Sequence, residues 1–447
     1  MMTSPSASYK AILKLTLPIT VGAIAQNIIL ATDAIFMAKV NEVSLDAVGI
    51  SGLFFSTLFV IGLGISVGVQ IIIARLHGEK NHTGIKDVFQ DSFKIFILLG
   101  LVLWGLMDWL GAIILKDLIQ SEKVLQESLL YLENREWGIL IAMMSLAFRA
   151  LFLGISRSSI ITWATIATAI ANVILNYLLI FGHAGFPQLG IAGAGMASSM
   201  AEILGLICFY IYLKRNSETK AFFQKLKWNF SMVNIQRIHR IASPLMLQNL
   251  LSHTGWFLFF IVIEKSGERA LAISVVIRII YMFQMAPFWG FSAATNTMVS
   301  YAIGENKSQE VKPLLKRISI LAIMTSLLFA IPNFFFPTWI IGLALNNSGQ
   351  KDLLHACIPT LHVVTVALIF LSVSTTYFSG VSGTGNTRYA LFLESIIISI
   401  YLLLAWMLSS FANAGVEMIW LCEVFYFLAI GITSYHYIQG DKWKEKI

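Results

Sequence analysis

The stretch ISGLFFSTLFVIGLGISVGVQIIIA, residues 50–74, runs for 25 residues without a charged side chain. About 20 apolar residues carry a helix across the hydrocarbon of a bilayer, at about 1.5 Å each. Two longer stretches follow: 318–350 has 33 uncharged residues, and 356–387 has 32 that are neutral apart from His362. A membrane β-barrel would show segments of about 10 residues with in/out alternation. These runs are continuous, so the spans are helices.

The whole composition agrees. Of 447 residues, 57 % are hydrophobic and only 12 % are Asp, Glu, Lys or Arg, about half the usual share. Mean hydropathy is +0.77. A soluble enzyme, a nucleic-acid binder and a disordered scaffold are excluded, because too few charges exist to cover a soluble surface. Twelve spans are predicted, near 12–38, 46–73, 92–116, 128–155, 160–182, 189–213, 241–263, 270–303, 315–345, 355–382, 388–411 and 415–439. The first is too long, and too polar at its centre, for a cleavable signal peptide. The termini and even-numbered loops hold 22 basic residues and the odd-numbered loops six. Basic residues collect on the cytoplasmic side, which predicts cytoplasmic termini in a multi-pass plasma (inner) membrane protein. The pI near 9.2 then reflects topology and anionic lipid, with no nucleic acid expected as partner. Cys208, Cys357 and Cys422 stand alone in apolar spans, without metal or disulfide spacing.

An internal repeat organises the chain. At an offset of 226, Lys14 meets Arg240, Pro18 meets Pro244, Leu45 meets Leu271, Gly64 meets Gly290, and Gly78-Glu79 meets Gly304-Glu305. Gly154-Ile155-Ser156 meets Gly380-Val381-Ser382 at the same offset. The matches fall on Pro and Gly, residues with backbone meaning. Two copies of six helices inserted the same way up are related by a pseudo-two-fold axis along the membrane normal, with a site between the halves in transporters of this kind. The expected division is a lobe over 1–213, a cytoplasmic linker over 214–240 and a second lobe over 241–447.

Leu17-Pro18, the Ala31-Thr32-Asp33 end of span 1 and the Gly-rich span 2 ending Ala74-Arg75-Leu76-His77-Gly78 form a recognisable series with the stretch Asn172–Gly182 and the run Leu189-Gly190-Ile191-Ala192-Gly193-Ala194. In order and spacing they resemble the multidrug and toxic compound extrusion (MATE) family over nearly the whole chain. The resemblance implies two six-helix bundles around a central cleft, and cation-coupled export of amphipathic, often cationic, compounds; a monomer is expected.

Polar residues at membrane depth are candidates for that work, since an ionised carboxylate there costs roughly 2.5–3.5 kcal/mol. Spans 1 and 5 both run outward. Asp33 lies about five residues from the outer end of span 1, and Asn176 about six from that of span 5. The two therefore share a depth. Asn172 is one turn below Asn176, Gln26 two turns below Asp33, and Ser198 of the inward-running span 6 lies near the depth of Asn172. These five form the predicted cation site: Asp33 holds H⁺ or Na⁺, and the amides and hydroxyl supply neutral oxygens. No other metal or cofactor is expected. The competing reading is a polar network that joins helices, at about 0.6 kcal/mol per bond. The resemblance supports all five positions; some relatives carry a second acid where Asn176 stands.

The second lobe departs from the family pattern. The repeat sets Phe259 opposite Asp33. Part of the family has a carboxylate in span 7, matched here by Ser252 beside His253, and another in span 10, where this chain has Ser372, Ser374, Thr375, Thr376 and Tyr377. Glu202, Glu423 and His253 are secondary candidates for lining the cleft; Asp108 and Glu394 lie nearer span ends and read as structural. Pro18, four turns before Asp33, is a candidate hinge.

The resulting prediction is a secondary active exporter. An intramembrane enzyme lacks a catalytic constellation, and a nucleotide-driven pump lacks a phosphate-binding loop. Nothing resembles a carbonyl filter or charged ring of a channel. The closest rival is a flippase for lipid-linked saccharides. Its anionic substrates call for a basic cleft, and only Arg135, Arg149 and Arg278 lie within spans.

Overall fold

The computed structural model describes residues 8–223, 228–345, 351–411, 414–441 and 443–444. Residues 224–227 of the expected linker lie outside them. The helices are α1 (Tyr9–Val40), α2 (Glu42–Gly78), α3 (His82–Leu118), α4 (Glu122–Arg135), α5 (Gly138–Gly154), α6 (Ser158–Phe181) and α7 (Gly190–Arg215). Then come α8 (Met232–Glu264), α9 (Glu268–Gly304), α10 (Val311–Phe335), α11 (Pro337–Ala344), α12 (Lys351–Gly383), α13 (Thr387–Phe411) and α14 (Val416–Gln439). No strand occurs among the described residues. Among the described residues eleven helices are long and apolar enough to cross a membrane, or twelve if the bent pair α4 and α5 counts as one span. The protein is an all-α, multi-pass membrane protein.

Two spans differ from their predicted form. Span 4 bends by 49° between α4 and α5. Gly138 sits at this bend, where a Cβ would lie 2.2 Å from a guanidinium nitrogen of Arg135. A side chain there would displace the Arg135 guanidinium and press on Ser199, whose Oγ and Cβ would lie 2.5 and 3.0 Å away. Span 9 ends at Phe335, and a short helix follows from Pro337. Proline disfavours helical backbone in the residue before it, and Phe336 accordingly has φ −133°.

Two compact units emerge. One is Val21–Met246; the other joins α1 up to Thr20 with the chain from Leu247 onward. In the first unit α6 packs along α7, and α2 and α3 pack on α5. In the second, α12 lies against α9, α10 and α14, and α13 against α14. Each unit thus takes in the opening turns of a helix whose remainder belongs to the other. Ile12 and Leu15 of α1 belong to the buried apolar core of the second unit.

The repeated glycines explain how those turns are received. A Cβ on Gly64 of α2 would lie 2.5 Å from the Met246 Cα, and one on Gly290 of α9 would lie 2.7 Å from the Thr20 hydroxyl. Gly64 and Gly290 are repeat mates, and so are Thr20 and Met246. Each contact lies within one unit, and each needs a bare backbone. The ends of α2 and α9 repeat as well. Lys80 and Asn306 adopt positive φ, at 56° and 60°. The next amides, of Asn81 and Lys307, each donate to a carbonyl five residues back, both at 2.9 Å. This is the left-handed C-terminal cap that closes a helix on its own last carbonyls.

Candidate cation site in the first unit

Asp33 near the end of α1, Asn172 and Asn176 one turn apart on α6, and Ser198 of α7 meet in one hydrogen-bonded chain. The Asn176 Nδ2 donates to Asp33 Oδ1 at 2.5 Å and to Asn172 Oδ1 at 3.1 Å. The Asn172 Nδ2 donates to Ser198 Oγ at 3.1 Å. Close approach of α6 and α7 makes the last link reachable: a Cβ on Gly193 would lie 2.6 Å from the Leu179 carbonyl oxygen.

All four side chains are buried, Asn176 completely. No Lys, Arg or His among the described residues lies within ion-pair distance of Asp33. The Asn176 Oδ1 is buried and accepts no hydrogen bond. Asp33 feels the Arg135 guanidinium only beyond ion-pair distance, and it stands beside an unused neutral oxygen, two of the groups that a proton or a small cation could draw on.

Gln26 joins none of these bonds and is exposed. At its level the face that α1 turns to α6 is apolar. Val21, Ile24, Ala25 and Ile28 of α1 and Ile166, Ala169, Ile170, Val173 and Ile174 of α6 line a groove of about 450 Å³. Glu202 is already engaged. Arg135 at the bend of span 4 grips it through two nitrogens, at 2.6 and 3.3 Å. The same guanidinium donates to Ser199 Oγ at 3.2 Å and lies 3.8 Å above the Phe55 ring. This ion pair is the feature that sequence reasoning missed. Its signal was present: two opposite charges inside one lobe's spans cannot both stay buried unpaired.

In the second unit, Glu423 is buried and accepts from the Tyr401 hydroxyl at 2.8 Å. His253 is half-buried and Asp108 is exposed. Glu394, in the first turns of α13, is buried and receives hydrogen bonds from Ser252 and Tyr426. Phe259 is wholly buried, with its ring 5.2 Å from Tyr401 and from Trp420. Pro18 lies inside an uninterrupted α1.

The family model described as MatE matches residues 18–178 and 244–407, two segments that begin on the repeated prolines. The chain belongs to the MATE family. Members of this family are transporters and not enzymes. A probable multidrug resistance protein NorM of Thermotoga maritima is 21 % identical over 441 residues, which is 98 % of this chain and 93 % of that protein. The crystal structure of a MATE in complex with MaL6 superposes with a TM-score of 0.89 at 19 % identity, covering 98 % of this chain and 97 % of that one. A MATE in the bent conformation gives 0.89 at 18 % identity, covering 100 % and 97 %. This MATE transporter thus shares their fold.

Proposed function

We propose that the protein is an antiporter that uses the inward gradient of H⁺ or Na⁺ to expel amphipathic, cationic drugs or metabolites from the cell. Its two six-helix lobes would enclose a central cleft, with both termini on the cytoplasmic face of the plasma membrane. Asp33 is the coupling carboxylate in this reading, with Asn172, Asn176 and Ser198 as its neutral partners. Gln26 contributes from the exposed face of α1. The observation that carries the reading is the buried Asp33, outside ion-pair distance of any described cation, beside the bare Asn176 oxygen. A carboxylate in that setting is costly until a cation joins it. Coupling follows if the ion and the exported cation draw on the same negative charge, so that binding of one weakens the other.

Two further features support the substrate class. The apolar groove between α1 and α6 lies within a few turns of Asp33 on the same helix, which suits a molecule with a greasy body and a positive end. Arg135, one of the three arginines within the spans, is neutralised by Glu202, which weakens the case for the anionic pyrophosphates of a flippase. Pro18 is read as the place where α1 changes shape between states.

The test is accumulation of a fluorescent lipophilic cation inside inverted vesicles, whose lumen corresponds to the cell exterior, under an imposed outward proton gradient and then an outward sodium gradient. One gradient should drive export in the wild type and neither in Asp33→Asn. Export by Asp33→Asn at the wild-type rate would reduce the cluster to packing.

A further inference from the structure

The second unit holds two acids that the Asp33 reading does not use. Glu394 of α13 and Glu423 of α14 are 1 % and 4 % exposed. Among the described residues neither lies within ion-pair distance of Lys, Arg or His. Their donors are hydroxyls. Ser252 of α8 and Tyr426 of α14 both reach Glu394 Oε1 at 2.6 Å, and Tyr401 of α13 reaches Glu423. The Tyr401 and Tyr426 rings are 5.5 Å apart, so the two acids share one aromatic assembly. Other titratable groups on the surrounding helices include His253, Arg278, Tyr281 and Cys422. Arg278 is held over the Phe260 ring at 5.1 Å. The buried Tyr281 hydroxyl also lies beside Glu423.

Two atoms show what the assembly lacks. Glu394 Oε2 is buried and has no partner. Ser252 has one hydroxyl proton but two acceptors in reach, the Gln248 carbonyl at 3.0 Å and Glu394 at 2.6 Å. A carbonyl can only accept. Ser252 satisfies both neighbours by giving its proton to Gln248 and receiving one from Glu394. As a carboxylate, Glu394 would keep a bare charged oxygen in an apolar interior. A neutral oxygen left bare costs only about 1–3 kcal/mol, far less than a charged one. One added proton removes the charge and completes the serine bridge.

We infer that Glu394, with Glu423 in the same hydroxyl-lined assembly, is a second proton-binding site, distinct from Asp33 and carried by the last two helices of the second unit. Phe259, the repeat mate of Asp33, packs on Tyr401. The acid that is missing at the mate's position is thus supplied from α13 and α14. The step is the addition of a proton from solvent to a carboxylate, and it needs no other reactant.

Infrared spectroscopy of the full chain in lipid nanodiscs tests this without any transport reading, through the carbonyl stretch of protonated carboxyl groups. A component of this band should be present at neutral pH and lost on going to alkaline pH. It should vanish in Glu394→Gln, shift in Ser252→Ala and in Tyr426→Phe, and persist in Asp33→Asn. If Glu394→Gln does not fold, the shift in Ser252→Ala decides. A spectrum unchanged by these substitutions, or a component that never responds to pH, would overturn the inference. A component removed only by Asp33→Asn would overturn it while supporting the first-unit reading. Failure of Asp33 in transport would leave these spectra as expected.

Discussion

In the unit that begins at Val21, one acid on the first helix is surrounded by amides, and a second acid is cancelled by an arginine. In the unit that continues from Leu247, the place equivalent to that first acid is an aromatic ring, and two acids from later helices lie under serine and tyrosine hydroxyls. The backbone frames match in their prolines, their close-contact glycines and the caps of α2 and α9, yet the polar centres do not. The difference teaches that the repeat preserves what shapes the helices, while the charge each half buries is free to move from one helix to another. Duplicated backbone does not imply a duplicated site.

The sharpest way to break this comparison is to exchange the two mates' roles by substitution. Asp33→Asn should reduce gradient-driven export to background while leaving thermal unfolding in detergent almost unchanged. Phe259→Ala should do the reverse, costing roughly 3–5 kcal/mol through the cavity it opens while export stays coupled to the gradient. Next in size is Glu202→Gln, which strands a buried arginine. Its cost should fall at the lower end of about 3–5 kcal/mol, since the Glu202 side chain keeps 23 % of its surface exposed. The apolar double replacement Arg135→Met with Glu202→Leu should recover most of the loss in the same unfolding measurement. Smaller still is the contrast between the close-contact glycines. Gly64→Ala meets backbone atoms of Leu245 and Met246, whereas Gly290→Ala first meets the Thr20 side chain. The first should cost about 1–3 kcal/mol and the second less; equal losses would remove the asymmetry. The mildest is Pro18→Ala, expected to slow turnover in vesicles without changing equilibrium substrate affinity. Wild-type rates would end the hinge reading.

Much of this was legible in the sequence, for identifiable reasons. Uncharged runs longer than a bilayer needs are unambiguous, and the Pro and Gly matches located the repeat. Asp33, Asn172, Asn176 and Ser198 could be set at one depth because helix rise and direction are enough for that. Rotation about a helix axis is harder to read. Gln26 shares a face with Asp33 by count, but the side of α1 facing α6 at that level is built from Ile24, Ala25 and Ile28. The bend at Glu136-Trp137 has no proline to announce it. At that bend Arg135 turns back toward Glu202 over Gly138, a contact between helices far apart in sequence. For Glu394 the distance from the end of its span was readable, but Ser252 and Tyr426 enclosing it from two other helices were not.

One measurement bears most directly on the claim that Asp33 is where ion and substrate compete. Equilibrium binding of the lipophilic cation tetraphenylphosphonium to the purified protein should weaken as H⁺ or Na⁺ concentration is raised, whichever is the coupling ion. In Asp33→Asn that response should collapse, leaving an affinity nearly indifferent to the ion. If Asp33→Asn keeps the full wild-type dependence, the competition lies elsewhere in the molecule and the account of the first unit is wrong.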